Sequence, residues 1–109
     1  MKLVFNVNEY IEKIKKSNNY FHTFINNESL AAGVLVLQPG EKDTQEPHDS
    51  DEVYFVLKGD GFLKIKDVDY PISENKMYFV GKKVEHFLLI FYSSAFLSLL
   101  VIIADIVII

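Results

Sequence analysis

The sequence predicts an antiparallel β-sandwich or β-barrel preceded by one short helix. Short apolar runs rich in β-branched and aromatic residues recur along the chain, and such runs are typical of strands. Turn-forming glycine, proline and asparagine residues separate them, as in all-β folds. The chain has 109 residues, half of them hydrophobic, so it is long enough to bury one core and form a single domain.

A cap over the sheet is predicted for the N-terminal part of the chain. An apolar run over 2–7 predicts a strand, and the residues after Asn8 predict a helix over 9–16. Asparagine is a good N-cap, acidic residues come early in this segment, and lysines come late. One face of the helix is apolar and carries Tyr10, Ile11 and Ile14.

Eight strands are predicted to follow the helix. Alternation and β-branched content place them at 20–25, 29–38, 52–57, 62–65, 70–72, 77–80, 86–92 and 96–103. The segment Lys58-Gly59-Asp60-Gly61 is a strong signal for a hairpin turn. Since the sequence contains no repeat or linker, one domain is expected over 1–109. Within it, residues 1–28 form the cap, 29–103 the barrel and 104–109 an apolar tail.

The composition argues against several classes of partner and site. The 11 Lys and Arg residues against 15 Asp and Glu residues give a formal charge of −4, which argues against a nucleic-acid partner because phosphates require a basic face. The lack of cysteine excludes disulfides, thiolate metal sites, iron–sulfur clusters and cysteine nucleophiles. The N-terminal residues show no apolar signal-peptide core, and we expect a cytoplasmic protein.

Three polar residues near predicted strands are candidates for a metal site. Glu52 lies in a strand that is apolar on both faces beyond it, and a carboxylate in an apolar region needs a cation or a hydrogen-bond network. His48 precedes it by four residues, and His86 has bulky apolar neighbours. Two imidazoles and a carboxylate that converge suit a divalent transition metal with open coordination positions. Alternatively, His48 is solvated and Glu52 pairs with Lys64 or Lys66.

The polar loop resembles the first motif of the cupin family. That motif runs glycine, five residues, histidine, any residue, histidine, three or four residues, glutamate, six residues, glycine. Here Gly40 is followed by five residues, then Glu46, Pro47 and His48, and Glu52 and Gly59 follow at the motif spacing. Every spacing matches, with Glu46 in place of the first histidine.

The second cupin motif is more eroded. His86 keeps its place, but Gly81-Lys82-Lys83 stands where the family has a proline–any–glycine turn. Asn75 replaces the leading glycine and Ile90 the closing asparagine. The resemblance covers residues 29–103.

The resemblance implies a mostly β fold, an antiparallel jelly-roll β-barrel, with one metal inside. His48, Glu52 and His86 carry over as its ligands, Glu46 is a fourth candidate, and Gln45 beside it is another for the same position. Such a set suits Fe, Mn, Zn or Ni, and a carboxylate in place of an imidazole shifts the preference towards Mn.

The resemblance also implies a small-molecule function. The leading hypothesis is a small metal-binding cupin-domain protein that holds an oxygen-bearing ligand in the barrel, as a dioxygenase, an isomerase or a lyase. The alternative is a non-catalytic binding or sensor protein without a bound metal. Tyr54 and Tyr78, together with Gln45, are candidates for the ligand pocket. Phe55 and Phe79, like the two tyrosines, are expected in the core or barrel wall, and His22 is expected to be structural.

The apolar segment 87–109 has two main interpretations. Its polar residues are Ser93, Ser94, Ser98 and Asp105, so its length and composition satisfy the rule for a membrane helix. Its Ile and Val content favours strands instead, as a hairpin turning at 93–95 with a strand over 97–103. We favour strands buried in a homodimer interface, because an exposed apolar patch of this size causes aggregation. A frameshifted, non-native end is a third alternative.

Overall fold

The computed structural model describes residues 2–41, 49–89 and 96–104. These residues form one helix and eight strands. The helix is α1 (Val7–Lys15), and the strands are β1 (Phe21–Asn26), β2 (Leu30–Leu37), β3 (Asp51–Lys58), β4 (Asp60–Ile65), β5 (Val68–Ser73), β6 (Met77–Val80), β7 (His86–Leu89) and β8 (Leu97–Ala104). Each predicted strand from 20–25 onward has a counterpart within a few residues.

The strands form two antiparallel sheets. The five-stranded sheet has the order β1-β2-β8-β3-β6, and the three-stranded sheet has the order β5-β4-β7. Every strand pair is antiparallel. The predicted antiparallel β fold with a short N-terminal helix is therefore confirmed, although strand pairing does not join the two sheets within the described ranges.

The space between the two sheets holds the main hydrophobic core. Because side chains alternate along a strand, β2, β3 and β8 of the five-stranded sheet each contribute alternate residues to it. Its buried members are Leu35, Leu37, Tyr54, Val56, Leu63, Ile72, Val80, Leu88, Leu97, Leu99 and Val101. Burial of one such aliphatic or aromatic side chain contributes about 1.5–3 kcal/mol.

The helix covers the outer face of the five-stranded sheet at one end. Its apolar residues Tyr10, Ile11 and Ile14 are buried in one cluster with Val34 and Val36 of β2. These two valines alternate with the core-facing leucines of β2, so they point to the opposite side of the sheet. The predicted apolar face of the helix is confirmed.

The predicted N-terminal strand over 2–7 is wrong. Residues 2–6 have no regular secondary structure. The helix begins at Val7, so its N-cap is Asn6 rather than the predicted Asn8. A strand requires a neighbouring strand for its hydrogen bonds. Phe5 and Val7 are partly buried by packing on the sheet, where the rings of Phe5 and Phe24 lie 5.3 Å apart, whereas Leu3 and Val4 are exposed.

The apolar segment near the end of the chain is built from strands where the structure describes it. β7 pairs with β4, whereas β8 lies between β2 and β3 in the other sheet. The predicted strand over 97–103 is therefore right, but a hairpin of the two strands is wrong. Within the described ranges, no helix has the length and apolar character needed to cross a membrane. Residues 93–95 and 105–109 lie outside those ranges.

The predicted hairpin at residues 58–61 is also wrong, because the chain changes sheets there. Only Gly59 separates β3 from β4, and the two strands belong to different sheets. Gly59 has φ +91°, and a Cβ atom there would lie 2.5 Å from the carbonyl oxygen of Phe96. This sharp corner therefore requires glycine.

We expect Gly59→Ala to lower the free energy of unfolding by about 2 kcal/mol or more, because the variant combines an unfavourable φ with a backbone clash. Urea denaturation measures the change. Gly81→Ala is the matched control, since the nearest atom to a Cβ there lies 3.8 Å away, and its stability should change by less than about 0.5 kcal/mol. Equal losses in both variants would contradict the role assigned to this corner.

Candidate metal centre

Glu52 is buried between the two sheets, as the sequence predicts for a carboxylate in an apolar strand. It is the second residue of β3, and alternation places it on the same face as Tyr54 and Val56. Only 1% of its surface is exposed. A buried carboxylate costs several kcal/mol unless other groups compensate it, so the residues around Glu52 define the site.

His86 approaches Glu52 from the opposite sheet. It is the first residue of β7, its side chain is buried, and its Nε2 atom lies 3.6 Å from Oε2 of Glu52. The alternative lysine partners lie elsewhere, because Lys64 pairs with Asp69 at 3.6 Å and Lys66 is exposed in a turn. Two residues 34 positions apart in the chain thus meet at one point between the sheets.

The hydrogen bonds of His86 fix the orientation and tautomer of its ring. Nδ1 lies 2.8 Å from the carbonyl oxygen of Val84, and because a carbonyl only accepts, Nδ1 carries the proton and donates. In the neutral ring Nε2 is then an acceptor, and the hydroxyl of Tyr54 donates to it at 2.9 Å. In the neutral ring the Nε2 lone pair therefore accepts from Tyr54, and this is the tautomer that binds metals through Nε2.

The spacing of these atoms fits a single metal ion. Metal–nitrogen and metal–oxygen bonds are about 2.1 Å long, so two donors to one ion lie no more than about 4.2 Å apart. The 3.6 Å between Nε2 of His86 and Oε2 of Glu52 is within that limit. A nitrogen donor beside a carboxylate oxygen, with a hydroxyl close by, suits Fe, Mn, Zn or Ni.

The other predicted ligands belong to the polar loop before β3. His48, Glu46 and Gln45 all lie outside the described residues. Among the residues that are described, no group of three or more His, Cys, Asp and Glu side chains is arranged to hold a metal. The structure therefore brings together Glu52 and His86 of the predicted set, and the remaining three positions stay predictions.

The two tyrosines predicted for the ligand pocket lie in different surroundings. Tyr54 is buried, and its hydroxyl is at the Glu52–His86 pair. Tyr78 is half-buried, accepts a hydrogen bond from the backbone N–H of Ser73 at 3.0 Å, and lines an open cleft of about 380 Å³ between β4, β5 and β6. Tyr54 is thus the one of the two whose polar group faces the site.

His22 lies outside the site. It is on β1, and its ring stacks on that of Tyr10 with centroids 4.9 Å apart, which agrees with the predicted structural role. The Val84 carbonyl that orients His86 was not predicted. No sequence signal identifies it, since every residue has a carbonyl and the contact depends on the turn before β7.

Comparison with known proteins identifies the family. A family model described as a cupin domain matches residues 33–103, which is more than half of the chain. The chain belongs to the cupin family. The resemblance seen in the Gly40–Gly59 motif is therefore confirmed, and so is the cupin jelly-roll fold that it implied.

Solved cupin structures share this fold at low sequence identity. An RmlC-like cupin family protein with a double-stranded β-helix fold from Methanocaldococcus jannaschii has a TM-score of 0.73 and 21% identity, covering 78% of each chain. A cupin-2 domain-containing protein from Shewanella frigidimarina has a TM-score of 0.70 and 19% identity over 94% of this chain and 95% of its own. The DMSP lyase of Ruegeria pomeroyi has a TM-score of 0.70 and 18% identity over 78% of this chain and 46% of its own.

One curated relative also matches part of the chain. An uncharacterised protein of Streptomyces coelicolor is 29% identical over 63 residues, which are 58% of this chain and 60% of that protein. This cupin therefore spans less than two thirds of the length of that relative. The comparisons establish the family and the fold.

Proposed function

We propose that this cupin-domain protein binds one divalent transition metal through Glu52 and His86 and holds a small oxygen-bearing ligand beside it. The buried Glu52–His86 pair, one residue from each sheet and 3.6 Å apart, carries the proposal. His48 and Glu46 complete the ligand set in this proposal. The ion is Fe, Mn, Zn or Ni.

The side chains of the site have separate roles in this proposal. The bound metal supplies Lewis-acid or redox chemistry. Glu52 supplies negative charge in an apolar interior, where it attracts a cation more strongly than in water. His86 offers Nε2 because its Nδ1–H is held by the Val84 carbonyl. The Tyr54 hydroxyl, which now donates to His86, is placed to donate to an oxygen atom of the ligand instead.

These groups indicate the kind of substrate, an oxygen-bearing molecule, and leave three reaction classes open. A metal with a carboxylate, an imidazole and a neutral hydroxyl donor suits an oxygen-bearing substrate, such as that of a dioxygenase, an isomerase or a lyase. The DMSP lyase that shares the fold supports the statement that lyase chemistry is compatible with it. Fold alone does not select among the three.

Elemental analysis of the purified protein tests the proposal. We expect about one equivalent of Fe, Mn, Zn or Ni per chain, removable by a chelator and restored when one of these four ions is added back, because two buried donors already face one point. Calcium and magnesium, which prefer all-oxygen sites, are the control ions and should not restore occupancy. A folded chain that retains none of the four transition metals at any stage would overturn the metal site.

A non-catalytic, metal-free binding protein is the second candidate, and the hydrogen bonds of His86 favour it. Both ring nitrogens of His86 have partners within the protein, namely the Val84 carbonyl and the Tyr54 hydroxyl. The imidazole is therefore satisfied without a metal. The same elemental analysis separates the two candidates, since a folded and metal-free chain is the outcome this second function requires.

A further inference from the structure

A cavity lies on the outer side of the five-stranded sheet, between the segment before α1 and β1. Its volume is about 530 Å³, which is within the range of about 300–1,000 Å³ that is usual for small-molecule sites. Its lining comes from the segment before the helix, from α1, and from β1 with the turn after it. Its phenylalanine and tyrosine rings belong to the cluster under the helix and not to the core between the sheets. The cavity is therefore separate from the Glu52–His86 pair.

Aromatic rings form much of the wall of this cavity. His22 and Phe24 of β1 both present a ring to Tyr10, which stacks on them at centroid distances of 4.9 Å and 5.0 Å. The ring of Phe5 lies beside that of Phe24 at 5.3 Å. Rings that line a cavity can stack on a planar aromatic ligand, and such pairs are more favourable than the buried area alone. The wall therefore suits a planar aromatic group.

The lysine at this cavity favours an anion over a cation as the ligand. Nζ of Lys2 lies 5.3 Å from the centroid of the Phe5 ring and 5.7 Å from that of Tyr10, so it already occupies the cation–π positions of these two rings. It repels a second cation and attracts an anion. Among the described residues that line the cavity there is no Asp or Glu, so no carboxylate of that lining competes for the ammonium group.

Two neutral hydrogen-bond donors accompany this ammonium group. Nζ of Lys2 donates to the hydroxyl oxygen of Tyr10 at 3.1 Å, which leaves the hydroxyl proton of Tyr10 to donate elsewhere. Oδ1 of Asn27 accepts hydrogen bonds from Ser29 and from the N–H of Leu30, and this orients the side chain and leaves its NH2 group as a donor. An ammonium, a hydroxyl and an amide N–H suit the two oxygen atoms of a carboxylate.

We propose that this cavity binds a small planar aromatic carboxylate. The ring of the ligand stacks on the aromatic wall, and its carboxylate pairs with the exposed ammonium group of Lys2. Both parts are required, because an exposed ion pair by itself contributes little to affinity and stacking by itself adds only a modest amount. The site is independent of the proposed metal centre, which lies between the two sheets.

Isothermal titration of the wild-type chain with 2-naphthoate tests the proposal, and we expect saturable binding with a single Kd. Two compounds separate the contributions of charge and ring. 2-Naphthylmethanol keeps the rings without the charge, and cyclohexanecarboxylate keeps the charge without an aromatic ring. Each should bind at least about fivefold more weakly than 2-naphthoate, because each loses one of the two interactions. Equal binding of either control compound would contradict the assigned ligand class.

Lys2→Met should weaken 2-naphthoate binding at least about 10-fold, because it removes a charged donor, and it should leave the binding of 2-naphthylmethanol unchanged. Lys66→Met is the matched control, since it makes the same change in charge at an exposed turn between β4 and β5, and it should bind 2-naphthoate like wild type. Tyr10→Phe keeps the ring and removes the hydroxyl group, and it should weaken binding about threefold.

His86→Ala separates this site from the metal centre, because carboxylates also bind transition metals. This variant should bind 2-naphthoate with the wild-type Kd, whether or not the metal site exists. Binding that is lost in His86→Ala and kept in Lys2→Met would assign the ligand to the metal centre and overturn the proposal. Equal affinities in Lys2→Met and Lys66→Met would also overturn it, and so would the lack of saturable binding to wild type up to about 1 mM.

Discussion

The double variant His48→Ala, His86→Ala is expected to retain less than about one tenth of an equivalent of metal, with an affinity at least about 100-fold weaker than wild type. Each change removes an imidazole proposed to bind the ion directly, and even the groups behind such ligands affect affinity by 10–100-fold. Elemental analysis and a competition titration with a metal indicator measure the loss. Unchanged retention in the double variant would refute the assignment of these histidines.

A matched control separates loss of a ligand from loss of any histidine. His22→Ala also removes one imidazole, but His22 stacks on Tyr10 on the outer side of the molecule. It should leave metal content at the wild-type value. A general loss of metal in all histidine variants would indicate surface adsorption rather than a defined site.

Glu52→Gln separates the contribution of Glu52 to metal binding from its contribution to the stability of the metal-free protein. The amide keeps the shape of the side chain but removes the charge of a residue that is only 1% exposed. The metal-free variant should therefore unfold no more easily than wild type. At a metal concentration of 100 times Kd, wild type should gain about 2.7 kcal/mol from binding, and the variant should gain much less. An equal gain in both proteins would exclude Glu52 as a ligand.

The strands could be predicted because their signal is local. Alternation and β-branched content along a few residues suffice to locate β2, β3 and β6, and the same alternation predicts that Glu52 is buried. The spacing between Gly40 and Gly59 then predicts a family site. These features depend on residues that are close in the chain, so no knowledge of tertiary packing is required.

Strand partners could not be predicted in the same way because pairing is not local. The segment 58–61 has the composition of a hairpin turn, but Gly59 is a corner between two sheets. β8 pairs with β2 and β3 rather than with β7. The apolar run at 2–7 resembles a strand, yet residues 2–6 form none, and only Phe5 and Val7 of the run pack on the sheet. In each case the local pattern is compatible with both arrangements.

In the candidate site, too, the features that depend on nearby residues could be predicted and those that depend on packing could not. Glu52 and His86 could be predicted from residue type and spacing, whereas the contact of Tyr54 with Nε2 depends on the packing of one sheet against the other. The outward direction of Phe79 depends on the register between β3 and β6. Aromatic character predicts burial for both residues, and only the register separates a buried Tyr54 from an exposed Phe79.

Leu99→Ala is expected to lower the free energy of unfolding by about 2–5 kcal/mol, the range for truncation of a buried leucine. Leu99 is completely buried in β8, the central strand of the five-stranded sheet, where it lies opposite Leu35 and Val56. Neither neighbour can fill the cavity without moving its strand. Urea denaturation of the metal-free protein measures the loss, which is a large fraction of the 5–15 kcal/mol that typically stabilises a domain.

Two comparisons show whether this loss arises from the core alone. Leu3→Ala removes the same atoms from a residue that is 80% exposed, so the stability of this variant should differ from wild type by less than about 0.5 kcal/mol.

Leu99 does not contribute a donor to the proposed metal centre. At a temperature where Leu99→Ala is still folded, its metal content should therefore equal that of wild type. A similar loss for the two leucine variants would mean that β8 is not the packed centre of the sheet. Loss of metal from folded Leu99→Ala would mean that the spacing of Glu52 and His86 depends on the packing of β8 against β3.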